Sequence, residues 1–183
     1  MAQSQLRKDL IQLRFKAHLP EKSFIPQKGL YRLLNRERIL AVVRAVQEVP
    51  GYRVDDVVDI IAKGGAKVLA ILSLLKSEEA QILKFISHDQ FQRSSLDSKL
   101  PLSVAALSDI VPDIAAEFYS AQWEVAAPVF STGVVHRELH DLTRLPFVRD
   151  ESLGDGGFGD IYEIELHPDH QVIDFVPKED VSS

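Results

Sequence analysis

Ala66-Lys67-Val68-Leu69-Ala70-Ile71-Leu72-Ser73-Leu74-Leu75-Lys76 is apolar at nearly every position between its two lysines, and its reading decides the fold. A surface helix shows one apolar stripe, whereas a segment that is apolar around its whole circumference must be enclosed by other elements. The run therefore predicts a central core helix, with Val68 to Leu75 the most buried segment of the chain. It contains Ser73 and falls far short of the roughly 20 residues that a bilayer span needs.

On either side, apolar residues recur at helical spacing. Ile39, Val42, Val43 and Val46 form one stripe, and Val57, Val58, Ile60 and Ile61 a second. Asp55 and Asp56 lie where a helix N-terminus favours negative charge, and Gly64-Gly65 supplies a stop. Downstream, Ser77 reads as an N-cap with Glu78 and Glu79 in an acidic first turn, leading a helix that turns Ile82, Phe85 and Ile86 inward. The polar stretch from His88 to Pro101 predicts an exposed connection. A further helix is expected from about Asp113 to Trp123, with Ile114, Phe118 and Tyr119 inward. Val125 to Phe130, which contains Pro128, suits a short extended piece. Leu139, Leu142 and Leu145 predict a helix over Arg137 to Leu145, closed by Pro146.

With 183 residues, 45% hydrophobic and 26% charged, the chain has the size of one globular domain, or of one domain with a small appendage. Its 21 basic and 27 acidic residues leave a formal charge of -6. Nothing in that balance draws the chain toward phosphate backbones or anionic lipid, so neither nucleic acid nor membrane is an expected partner. The absence of cysteine removes disulfides, thiol catalysis and cysteine-ligated metal, and it suits a reducing compartment. Met1 to Phe15 lacks the uninterrupted apolar stretch of a secretory signal. A soluble, cytoplasmic chain is the expectation.

From Phe147 onward the texture changes. Gly154, Gly156, Gly157 and Gly159 cluster just before the alternating run Ile161-Tyr162-Glu163-Ile164-Glu165-Leu166, which predicts a strand. His167-Pro168-Asp169-His170 then reads as a turn, and Val172 to Val176 as another strand. The segment Leu153-Gly154-Asp155-Gly156-Gly157-Phe158-Gly159-Asp160-Ile161 contains G-x-G-x-x-G, whose glycines let backbone N–H groups approach phosphate oxygens. A dinucleotide-binding turn needs a helix after the glycines, and a Walker loop needs Gly-Lys-Ser/Thr. Here Asp160-Ile161 and a strand follow instead.

The flanks resemble the glycine-rich loop of protein kinases, which turns between two antiparallel strands over the ATP phosphates. The resemblance implies that Gly154, Gly156 and Gly159 are the loop glycines, with Gly157 beside them. It further implies that Phe158 is the aromatic at the tip, that Leu153 matches the residue before the first glycine, and that Ile161 packs on the adenine. Phe175-Val176-Pro177-Lys178 stands where the family has its phosphate-binding lysine strand, which makes Lys178 a candidate ligand, although Pro177 departs from the pattern. Ala66 to Lys76, Phe85-Ile86, Leu100-Pro101-Leu102, Gln122-Trp123 and Leu145-Pro146-Phe147 are in turn similar to the amino-terminal extension of fungal serine/threonine kinase-like proteins.

After Lys178 only Glu179 to Ser183 follow, with no H-R-D catalytic loop, no D-F-G metal ligand and no partner glutamate. The expectation is an early-ending chain that binds ATP, with magnesium, weakly and transfers no phosphate. His136-Arg137-Glu138-Leu139 looks like a catalytic loop, but it precedes the glycines and has Glu for Asp, so it reads as helix surface. His136 and His140, four apart, would share a helix face but lack a third zinc ligand. His167 and His170 fit a turn, Trp123 and the phenylalanines fit core, and Arg32, Arg36, Arg38 and Arg44 fit a solvated helix face. No nucleophile-elbow sequence is present.

The fold class expected is thus mainly α. Residues 1–146 form a helical regulatory or interaction domain, and residues 147–183 a short antiparallel hairpin resembling the first strands of a protein-kinase N-lobe. The rival function is a helical adaptor that binds a protein partner through an apolar helix face and carries a vestigial hairpin.

Overall fold

The computed structural model describes residues 2–16, 22–45, 51–76, 81–89, 95–132, 138–156 and 159–172. Its helices are α1 (Ala2–Leu13), α2 (Gln27–Leu33), α3 (Arg36–Val43), α4 (Val54–Gly64), α5 (Ala66–Leu74), α6 (Gln81–Ser87), α7 (Val104–Ile110) and α8 (Ala115–Val125). The strands are β1 (Phe130–Ser131), β2 (Phe147–Gly156), β3 (Gly159–Leu166) and β4 (Gln171–Val172). None of the described helices is long and apolar enough to cross a membrane.

Helix α5 is the centre of the molecule. Ala66 and every residue from Val68 to Ser73 are buried, and α1, α4, α6 and α8 pack around them. Ser73 escapes the cost of a buried hydroxyl by donating to the Leu69 carbonyl at 2.8 Å. The flanking stripes fold as their spacing predicts. Ile39, Val42 and Val43 are buried on α3, Val57, Val58 and Ile61 on α4, and Ile82, Phe85 and Ile86 on α6. Ile60 is the exception, at 37% exposure on the outer side of α4. Phe118 is fully buried on α8 and stacks on Phe85 with ring centroids 5.1 Å apart. Val46 and the Ser77 to Glu79 cap lie outside the described residues.

Four local expectations are corrected. The connection after α6 is not simply exposed. A 3-10 turn at Leu96–Lys99 buries Leu96 and sends the Asp97 carboxylate onto the N-terminus of α5, where it accepts from the Lys67 and Val68 amides at 3.0 and 3.2 Å. Val125 ends α8 rather than opening an extended piece, and the strand there is only Phe130–Ser131. No helix occupies 138–146. His140 accepts from the Leu142 amide through Nδ1, and the Thr143 amide bonds the His140 carbonyl, forming a local turn in place of a helical ladder. Leu145 precedes Pro146, which favours extended backbone, and Leu139 and Leu142 are exposed. Lastly, β4 does not extend the hairpin. It pairs in parallel with β1, Phe130 opposite Gln171.

Strands β2 and β3 form the antiparallel hairpin that the alternation predicts, with Phe147 opposite Leu166, Asp150 opposite Ile164 and Ser152 opposite Tyr162. Register shifts fall between Phe147 and Arg149 and between Ser152 and Gly154. Nearly all of β3 is exposed. Beyond it, residues 167–172 return to the helical side and dock there.

Candidate functional site

The glycine motif lies at the turn of the β2–β3 hairpin, with Gly156 paired to Gly159 across it. Gly154 has φ +122° and Gly159 φ +155°, and a Cβ built on either would meet nothing within 4 Å. Glycine is therefore required by the backbone conformation and not by crowding. Such a turn can offer its amides to an anion from open solvent. Exposed Asp160 places a negative charge beside it. Of the residues that the kinase resemblance assigns to the adenine, Leu153 is 66% and Ile161 54% exposed, so the described structure gives neither a partner wall. Gly157, Phe158 and Lys178 lie outside the described residues. Those residues also contain no group of three potential metal ligands.

The hairpin has two distinct faces because side chains alternate along a strand. Tyr162 and Ile164 turn toward the helical body, where with Phe147 and Asp150 they line a cleft of about 790 Å³. Its opposite walls are Trp123 and Ser120 of α8 and the strap Asp141–Leu145, with Lys22 at the side. Ile161, Glu163 and Glu165 face the other way. The cleft and the residues assigned to adenine are therefore on opposite faces of the same hairpin. Sequence reasoning missed the cleft because its walls come from three segments far apart in the chain.

Trp123 is 5% exposed, stacks on His140 at 4.6 Å, and has a buried Nε1 with no acceptor among the described residues. It is core, as expected, and also cleft wall. Its neighbour Gln122 is fully buried and clamps an extended backbone: Oε1 accepts from the Leu102 amide at 2.8 Å, and Nε2 donates to the Leu102 carbonyl at 2.9 Å.

The 3-10 turn Pro168–His170 does more than reverse the chain. His170 is fully buried; its Nδ1 lies 3.0 Å from the Pro128 carbonyl, and its Nε2 accepts from the Gln27 amide at 3.1 Å. These partners fix the neutral ring with the proton on Nδ1, and burial holds its pKa below the usual histidine value. Asp169 accepts from the Gly29 amide at 3.0 Å and pairs with Arg32. Phe24 packs edge-on to both His167 and His170. The expected arginine face is likewise partnered, since Arg36 pairs with Asp59 and Arg38 with Asp9. The proposed His136–His140 helix face does not form at His140, which sits in the turn, and His136 lies outside the described residues.

No family model, curated protein or solved structure matches the chain.

Proposed function

We propose that the chain is a helical platform bearing a glycine-rich loop of the protein-kinase type, which contacts the phosphates of ATP weakly and does not itself transfer them. One observation supports this most: the G-x-G-x-x-G segment sits at the turn of an antiparallel hairpin, with positive φ at Gly154 and Gly159 and open space around both. Backbone amides at such a turn bind phosphate oxygens without any side chain. Phosphoryl transfer needs a positioned base and metal ligands, and the H-R-D and D-F-G motifs are absent from these residues.

The adaptor reading has less to support it. Among the described residues the helices expose large apolar side chains only at Tyr31, Ile60 and Val104, each on a different helix, and the segment after them does so at Leu139 and Leu142. Scattered single residues of this kind are ordinary surface.

Calorimetric titration with Mg-ATP tests the proposal. Wild-type chain should bind in the millimolar range, and Asp160→Asn should tighten binding about threefold by removing a like charge from the loop. Micromolar affinity, or weakening by Asp160→Asn, contradicts a phosphate contact at an incomplete site.

A further inference from the structure

We propose that the cleft between the hairpin and α8 is a binding site for an uncharged, aromatic small molecule, separate from the glycine turn. Its volume of about 790 Å³ is in the range of small-molecule pockets, which are mostly apolar with a few polar groups. Three aromatic rings from separate elements converge there, Trp123 from α8, Phe147 from β2 and Tyr162 from β3, with Leu142, Leu145 and Ile164 filling the walls between them.

The charges in the lining argue against an ionic ligand. Lys22 pairs with Asp150 at 3.6 Å. Arg144 donates to the Ser23 carbonyl and lies 3.6 Å from Glu124. Each lining cation is already matched by an anion of the protein, so an anionic ligand would have to break a pair to gain one, and Asp141, which forms no ion pair among the described residues, is exposed to water, where a cation gains little. Ser120, Thr143 and Tyr162 supply hydroxyls along the lining.

Trp123 is the chain's only tryptophan, so its fluorescence reports on this cleft alone. The experiment excites Trp123 in the full chain and titrates N-phenylnaphthylamine, an uncharged aromatic that accepts energy from indole. Saturable transfer at one probe per chain is expected. Ile164→Glu, and separately Leu142→Arg on the opposite wall, should weaken it about tenfold or more by placing charge in the apolar lining. Ile164 and Leu142 are 45% and 48% exposed, so both variants should keep the wild-type circular dichroism. Ile161→Glu, on the far face of the hairpin, should leave the affinity unchanged, and Mg-ATP should not compete. Absence of saturable transfer, or equal loss in Ile161→Glu and Ile164→Glu, would overturn the proposal. Competition by Mg-ATP would merge the cleft with the glycine turn and overturn its separateness, whereas a failure of ATP binding alone leaves the cleft standing.

Discussion

At the scale of single residues, the molecule depends on a few polar side chains that serve buried backbone. Gln122 satisfies both the donor and the acceptor of Leu102. Gln122→Ala would leave both groups without their partner in a dry environment, and urea denaturation should show a loss of about 2–4 kcal/mol. A loss below about 0.5 kcal/mol would mean that water reaches Leu102. His170 makes a prediction in pH. Its reference value is 6.5 and burial lowers it in the fold, with His167 and Lys67 adding like charge and Asp169 beside it in sequence. As pH falls through about 6.5, the unfolded chain takes up a proton that the folded site resists. Stability should therefore fall on acidification until the pH passes the lower folded value, because a proton on Nε2 would confront the Gln27 N–H. Comparing the urea midpoint of wild type and His170→Asn between about pH 7 and pH 5 isolates this contribution, which must shrink in the variant. A wild-type midpoint that rises relative to the variant on acidification would reverse the assignment.

Among the elements, those that were legible in the sequence are those whose burial comes from their own composition. The α5 run has no polar face to turn outward, and the stripes of α3, α4 and α6 each carry enough β-branched or aromatic bulk to define one side. Helices α1, α2 and α7 carry no comparable signal. Leu6 and Leu10 of α1 sit among Gln, Arg, Lys and Asp, and α2 and α7 are seven residues long with two buried residues apiece. Conversely, Leu139, Leu142 and Leu145 imitate a helical stripe, but the His140 turn and Pro146 take the backbone elsewhere. Asp97 reads as part of a polar linker because a carboxylate that caps a helix about thirty residues away in sequence leaves no local signature. Asp97→Ala should cost about 1–2 kcal/mol by removing the acceptor of two α5 amides. The same urea assay checks this, and an unchanged midpoint would show that the cap is dispensable. The hairpin should behave as the least stable element, since two strands exposed on both faces bury little. Its amides should exchange with solvent well before those of α5, and equal protection would contradict that order.

On the scale of the whole molecule, the helical body and the hairpin divide the work. The body is built around α5 and fixes residues 167–172 through His170 and Asp169, so the base of the hairpin is held while its turn projects. The glycine motif was readable because it is local: Gly154 and Gly159, whose positive φ shapes this end of the hairpin, lie within one short run of sequence. The cleft was not, because Trp123, Leu142 and Ile164 become neighbours only after folding. The proposed phosphate contact belongs to this turn, beside which, among the described residues, Leu153 and Ile161 are open to solvent. The most direct measurement is a Mg-ATP titration followed by amide resonances across the full chain. Saturable shifts at Gly154, Gly156 and Gly159 with millimolar midpoint, and none along α5, are the result predicted. Shifts absent from the glycine turn, or centred on another part of the molecule, would contradict the proposal that this hairpin is a phosphate-binding loop.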